Sequence, residues 1–133
     1  MNRPARLALP ILAAALIGCS PDLAALTVPP PGAVAELDNV EESISLTRGI
    51  ALGFECTYQG RPCEGASAEV EDPAVASVHA AYVDLLSRQT ESREAGGAPR
   101  SVFVLVGAQP GTTTLTLTSE DGDLRFDVEI LER

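Results

Sequence analysis

The stretch GTTTLTLTSEDGDLRFDVEI, residues 111–130, carries the clearest secondary-structure signal in the chain. Polar and apolar residues alternate along it with a period of two, which is the spacing of the two faces of a β-strand. Asp121 and Gly122 separate the two alternating runs and form a dipeptide typical of tight hairpin turns. The stretch therefore predicts two antiparallel strands. The side chains expected to face the core from the second strand are Leu124, Phe126, Val128 and Ile130.

Similar short runs precede this hairpin and are separated by turn residues. They lie at residues 44–46, 50–56, 66–70, 75–78 and 102–106. The last run is continuously apolar, as in a strand buried on both faces, whereas residues 80–86 lack a period of two and fit a short helix or a loop. About seven short strands without a long helix predict an all-β fold, a β-sandwich in the first interpretation and a small barrel in the alternative.

Parts of this region resemble a known family. Residues 72–78, DPAVASV, and residues 107–115, GAQPGTTTL, resemble a strand and a turn of bacterial immunoglobulin-like domains of the group 2 type, with residues 126–130 as the closing strand. The resemblance covers residues 43–131 and implies an immunoglobulin-like β-sandwich that serves in surface display, adhesion or spacing. It implies no site residue. The chain departs from the family in a longer segment at 78–101 and in an added pair of cysteines.

Residues 1–18 have the three parts of an export signal. Two arginines precede an apolar run at residues 7–17, and the small residue Gly18 stands directly before Cys19. The run is too short to span a bilayer, because a spanning helix needs about 20 apolar residues. The segment resembles the signal peptide of a bacterial lipoprotein, in which the cysteine becomes the lipidated first residue of the mature protein. A buried helix, or a cleaved signal followed by an unrelated cysteine, is the alternative.

The lipoprotein resemblance implies an address for the mature protein. Several acyl chains on Cys19 would hold it firmly to a membrane, since each buried methylene contributes about 0.8 kcal/mol. Ser20 stands where such lipoproteins carry an aspartate when they are retained at the inner membrane. The outer membrane, on its periplasmic or its surface face, is therefore favoured over the inner membrane.

Residues 19–42 differ in composition from the rest of the mature chain. They are rich in proline, alanine, glycine and acidic residues, with consecutive prolines at 29–31. Such sequences are extended and poorly packed, so the segment is predicted to be a flexible tether that carries a domain at residues 43–133. A proline-rich recognition ligand is the alternative interpretation.

Cys56 and Cys63 remain after Cys19 is assigned to lipid. Disulfides persist in exported proteins, so these two cysteines are predicted to form a disulfide across a loop that contains Gly60 and Pro62. Zinc binding is the alternative, but it needs more ligands than two thiols, and the single histidine has no recognised zinc spacing.

The charge balance argues against a nucleic-acid partner. Nineteen acidic residues oppose nine basic ones, all of them arginine, and the formal net charge is −10. Nucleic-acid backbones are bound through clusters of lysine and arginine, which the sequence does not contain. The acidity fits a solvated surface, and less well an acidic face for cations or basic partners.

No group of residues predicts catalysis or a cofactor. His79 is the only histidine, and no nucleophile motif lies near it. Glu69 and Glu71 are expected to share an exposed strand face. Asp121 and Asp123 suggest calcium, although they lack the extended ligand loop of a calcium hand. The sequence therefore predicts a protein that is not an enzyme.

A polar loop is expected at residues 84–100, because long loops inside compact domains are uncommon and often functional. Its candidate interaction residues are Ser87, Arg88, Gln89, Glu91, Arg93 and Glu94. Together these features predict a membrane-anchored envelope lipoprotein whose immunoglobulin-like module binds a protein partner or has a structural role. An insertion without a partner is the alternative for the loop, and an accessory lipoprotein that binds calcium, glycan or peptide is the alternative for the whole chain.

Overall fold

The computed structural model describes residues 19–81 and 101–133, and within these two ranges the secondary structure is entirely β. The strands are β1 (Asp22–Ala25), β2 (Ala35–Asp38), β3 (Ser43–Thr47), β4 (Ala51–Tyr58), β5 (Arg61–Pro62), β6 (Ser67–Val70), β7 (Ala76–Ala81), β8 (Val102–Gly107), β9 (Gly111–Thr118) and β10 (Leu124–Leu131).

The strands form two sheets. Sheet A has the order β1-β4-β8-β7, with the short β5 paired to the end of β4, and sheet B has the order β2-β3-β10-β9-β6. Neighbouring strands are antiparallel, except that β3 and β10 run parallel. The all-β sandwich predicted from the sequence is confirmed. The barrel alternative is wrong, because the described strands separate into two sheets and do not close into one.

The core lies between the inner faces of the two sheets. Sheet A contributes Leu52, Phe54, Phe103 and Leu105, and sheet B contributes Ile44, Leu46, Leu115, Leu117, Phe126, Val128 and Ile130. The rings of Phe54 and Phe103 stack with their centroids 5.7 Å apart. Burial alternates strictly along β10, where the four residues predicted to face inward are buried and the acids between them are exposed.

Two details of the strand prediction need adjustment. The continuously apolar run at 102–106 predicts burial on both faces, but Val104 and Val106 are only half-buried, because they point to the outer face of sheet A. Within residues 80–86, the first two belong to β7, and the remainder lies outside the described residues.

The predicted tether at residues 19–42 is wrong, because most of this segment is part of the sandwich. Strand β1 pairs with β4 in sheet A, and β2 pairs with β3 in sheet B. Leu23 is only 2% exposed in the core. Asn39 joins the two strands, since its Oδ1 accepts the Leu23 N–H at 2.9 Å and its Nδ2 donates to the Leu23 carbonyl at 2.8 Å. The domain therefore begins near Pro21 and not at residue 43.

The prolines of the predicted tether lie in the connection between the two sheets. The Ala33 N–H donates to the Pro30 carbonyl at 3.1 Å, and Gly32 has a φ of 80°. Proline at the second position and a positive φ at the third are the requirements of a type II turn, and Pro31 and Gly32 meet them. The segment is thus a structured connection from β1 to β2.

Candidate functional site

Cys19 is exposed and lies just outside the packed domain. Only Ser20, also exposed, separates it from Pro21, which is buried. The Pro21 ring packs on Gly122, where an added Cβ would lie 3.1 Å from the proline Cδ. The candidate lipid attachment residue is therefore joined to the sandwich by one residue.

Cys56 and Cys63 form a disulfide, as the sequence predicts. The S–S distance is 2.02 Å and the Cα atoms are 5.5 Å apart. Both cysteines are buried, and the bond closes the β4–β5 hairpin. The Cys63 N–H donates to the Cys56 carbonyl at 3.1 Å, and the Ser101 hydroxyl donates to the Cys63 carbonyl. The disulfide thus closes the hairpin, and the Ser101 hydrogen bond attaches the hairpin to the residue before β8.

Arg61 and Asp121 link this hairpin to the β9–β10 turn. The Arg61 guanidinium donates to the Asp121 carboxylate at 2.8 Å and 3.4 Å and lies 5.2 Å from the centroid of the Tyr58 ring. The Glu64 N–H donates to the same carboxylate at 2.9 Å. This backbone hydrogen bond, followed by the Arg61 interaction, lowers the pKa of Asp121 below its ordinary value, although partial burial opposes the shift.

These contacts define one end of the sandwich, which we call the Cys19 end. It comprises the start of β1, the β4–β5 hairpin and the turn between β9 and β10, because Asp22 pairs with Thr57 and Pro21 packs on Gly122. At the opposite end, which we call the far end, lies the turn from β8 to β9. Ala81 and Ser101, which flank the predicted loop, lie at the Cys19 end.

The outer face of sheet B is polar, and half of its residues are acidic. Its residues are Glu36, Asp38, Ser43, Ser45, Glu69, Glu71, Thr112, Thr114, Thr116, Arg125, Asp127 and Glu129. The single guanidinium among them, that of Arg125, lies 4.0 Å from the Glu71 carboxylate. An open groove of about 790 Å³ runs over this face, between hydroxyls of β3 and β9 and the carboxylates of Asp127 and Glu129. The groove offers hydrogen-bond acceptors and donors to a polar ligand.

The outer face of sheet A is apolar along β8. Val104 and Val106 are half-buried there, and Gly53 on the neighbouring strand is covered by the side chain of Thr27. The Gly53 N–H donates to the Thr27 hydroxyl at 2.9 Å. The larger apolar side chains that are exposed in the described residues are Leu26, Val28 and Val40. Leu26 lies beside this face, since its N–H donates to the Gly53 carbonyl at 2.7 Å, whereas Val28 and Val40 lie in the connections between strands.

The residues considered for catalysis or metal binding do not assemble into a site. His79 is exposed and its Nε2 lies 3.2 Å from the Ser77 hydroxyl oxygen. Glu69 and Glu71 are both exposed. The Asp121 carboxylate accepts hydrogen bonds from Arg61 and from the Glu64 N–H. Among residues 19–81 and 101–133, no group of three His, Cys, Asp or Glu side chains is arranged to hold a metal ion.

The predicted interaction loop lies outside the part of the chain that the structure describes, and so do its candidate residues from Ser87 to Glu94. The Arg61–Asp121 contact and the groove on sheet B are not predicted from the sequence. The sequence contains Arg61 in the loop between the cysteines and Asp121 in the hairpin turn, but it does not indicate that these two residues, which are far apart in sequence, form an ion pair. The alternation of threonines along β9 was the available signal for the groove face.

No helix in the described ranges is long and apolar enough to cross a membrane. No protein-family model matches the chain, and no characterised protein matches it in sequence. Among solved structures, the S-layer protein rSbsC(31-844) is 16% identical with a TM-score of 0.49 over 74% of this chain. Domains 4 and 5 of the S-layer protein SbsC are 13% identical with a TM-score of 0.46 over 83% of this chain. The chain covers 13% and 54% of those two structures, respectively.

Proposed function

We propose that this protein is a lipid-anchored envelope protein whose immunoglobulin-like sandwich serves a structural or protein-binding role. The observation that carries the proposal is the position of Cys19. It follows a segment with the pattern of a lipoprotein signal, and it is exposed two residues before Pro21, the first packed residue of the domain. A thiol at that position is free for acylation without disturbing the core.

The disulfide supports export. Disulfides persist in oxidising compartments such as the periplasm and the cell surface, and they are rare in the cytosol. Cys56 and Cys63 are bonded and buried, which suits a structural bond and not a reactive pair. The outer membrane is the favoured location, because Ser20 stands in place of the inner-membrane retention residue.

A role without catalysis fits the chemistry of the described surface. His79 contacts the Ser77 hydroxyl, and the Asp121 carboxylate is held by Arg61. A sandwich that exposes extended polar and apolar faces suits binding or spacing. We propose an envelope protein as the partner.

Replacement of the lipid-carrying residue tests the anchor. Cells that express Cys19→Ala should incorporate no labelled fatty acid into the protein, and the protein should leave the membrane fraction. Ser20→Ala is the matched control, because this residue is also exposed and outside the core, and it should retain the label. Fatty-acid labelling that persists in Cys19→Ala would refute lipidation at this position.

A second function is favoured by the groove on sheet B. Its hydroxyls and carboxylates suit the hydroxyl groups of a glycan better than a metal ion, since the described residues provide no group of three metal ligands. Calorimetry of the soluble domain with cell-wall glycan fragments tests this function. Binding heat that disappears in Thr114→Val but not in Thr116→Val would support it, because Thr114 lines the groove and Thr116 does not.

A further inference from the structure

The short connection between Cys19 and the sandwich restricts how the domain can sit on a membrane. An extended chain spans at most about 3.6 Å per residue. Ser20 alone separates Cys19 from buried Pro21, so the Cα of the anchoring residue lies within about 7 Å of the packed domain. A lipid on Cys19 would therefore hold the sandwich against the bilayer and not above it on a stalk.

The packing of Pro21 selects the end of the sandwich that is held there. Pro21 contacts Gly122 in the β9–β10 turn, and Asp22 pairs with Thr57 at the base of the β4–β5 hairpin. The tip of that hairpin, Gln59 and Gly60, is exposed. It extends beyond Thr57 in the same direction as Cys19.

This end is also cross-linked by a disulfide, an ion pair and a backbone hydrogen bond. The disulfide joins β4 to the residue after β5, Arg61 and Asp121 join the two sheets, and the Glu120 N–H donates to the Glu64 carbonyl at 2.9 Å. The disulfide, the ion pair and this hydrogen bond make the end rigid, so it can rest against a bilayer surface without rearrangement.

We infer that the Cys19 end faces the bilayer, with the β4–β5 hairpin against the lipid headgroups. The inference rests on the lipidation of Cys19 proposed above. The tip of the hairpin, Gln59 and Gly60, is uncharged. Beside it lies Tyr58, with the Arg61 guanidinium against its ring, and the ring and hydroxyl of a tyrosine suit the membrane interface. The acidic residues beside it, Glu64, Glu120 and Asp123, suit the ammonium groups of zwitterionic headgroups and repel anionic lipids. The far end then faces away from the membrane.

The absence of lysine from the chain provides a clean probe of this orientation. A single introduced lysine is the only side-chain amine, so it can carry an amine-reactive fluorophore. Gln59→Lys places the probe on the hairpin tip, and Gln109→Lys places it in the β8–β9 turn at the far end. Both glutamines are exposed, and both substitutions keep an unbranched side chain.

The full-length lipoprotein variants are reconstituted into phosphatidylcholine vesicles in which some headgroups carry a nitroxide quencher. We expect roughly threefold stronger quenching at position 59 than at position 109, because the eight residues of β4 span about 25 Å between the two ends. Equal quenching, or stronger quenching at position 109, in protein that carries the acyl label would overturn the orientation while leaving the anchor intact. Protein without the label would overturn the proposed lipidation and the orientation with it.

Discussion

Asp121 is the residue on which the contacts between the two sheets converge at the Cys19 end. Its carboxylate accepts hydrogen bonds from the Glu64 N–H and from Arg61, and these interactions favour its charged form. The folded protein therefore has a lower pKa at Asp121 than the unfolded chain. This difference contributes stability above the unfolded pKa of about 4, and the contribution is lost as the pH falls through the lower folded pKa.

We predict that Asp121→Asn destabilises the domain at neutral pH and flattens its loss of stability in acid. The asparagine keeps the shape of the side chain but removes the charge that binds Arg61. Urea unfolding of residues 19–133 between about pH 7 and about pH 3 measures both effects. Asp123→Asn removes the same charge from an exposed neighbour and serves as the control. Identical pH profiles for the two variants would contradict the role assigned to Asp121.

The disulfide gives a second prediction at the residue scale. Replacing both Cys56 and Cys63 by alanine should lower the free energy of unfolding by about 2 to 3 kcal/mol, because a short closed loop restricts the unfolded chain by that amount. Reducing agent should destabilise the parent domain and leave the double variant unchanged. Cys19→Ala, which removes the exposed cysteine, should alter neither result. A domain that is equally stable with and without reductant would argue against a structural bond.

At the scale of single elements, the sequence predicted the strands with long alternation and missed the short ones. Strand β10 alternates over eight residues, and its inward positions are buried as expected. Strand β1 has four residues and one inward side chain, Leu23, too few to reveal a period beside Pro21 and the prolines that follow. The alternation of Ala35 and Leu37 with acidic residues indicates β2, but the same acids favour a solvated segment when only the composition is considered. Pairing with β4 and β3 supplies the stability that local sequence does not.

In the candidate site too, contacts between residues close in sequence were predictable, and contacts between distant residues were not. The Cys56–Cys63 bond was predictable, because the two residues close one short hairpin. The contact of Arg61 with Asp121 was not, because it depends on the packing of two sheets. Hydrophobic period identifies a strand and its faces, but it does not say which turns meet at one end of a sandwich.

The corrected role of residues 19–42 is itself testable. Leu23→Ala should destabilise the domain by about 2 to 5 kcal/mol, because it removes a buried side chain from the core. Leu26→Ala, three residues later and 44% exposed, should cost much less. Chemical denaturation of the two variants measures the difference. If Leu23→Ala were as stable as the parent, the segment would be the tether that the composition suggests.

At the scale of the whole molecule, the folded amino-terminal segment would determine the distance between the domain and a membrane that holds the proposed lipid on Cys19. A tether of residues 19–42 would leave the sandwich free to rotate above the lipid. In the structure, these residues are used in β1, β2 and the turn between the two sheets. The lipid on Cys19 would therefore set both the height and the orientation of the domain, and a partner would meet the far end or the outer faces of the sheets.

We predict that a longer connection abolishes the orientation without affecting the fold. A ten-residue Gly/Ser insertion between Ser20 and Pro21 adds a flexible reach of about 17 Å, because such a chain extends by roughly 5 to 6 Å times the square root of its length. The unfolding free energy should be unchanged, since the insertion precedes the first packed residue. The difference in quenching between fluorophores at positions 59 and 109 should become small.

The matched control places the same insertion between Val40 and Glu41, two exposed residues in the β2–β3 turn. This variant has the same added length and flexibility, but its connection from Cys19 to Pro21 is unaltered, so the difference in quenching should persist wherever the domain remains folded. A difference that survives the insertion after Ser20 would mean that the hairpin surface itself binds the headgroups. The orientation would then depend on that contact and not on the short connection.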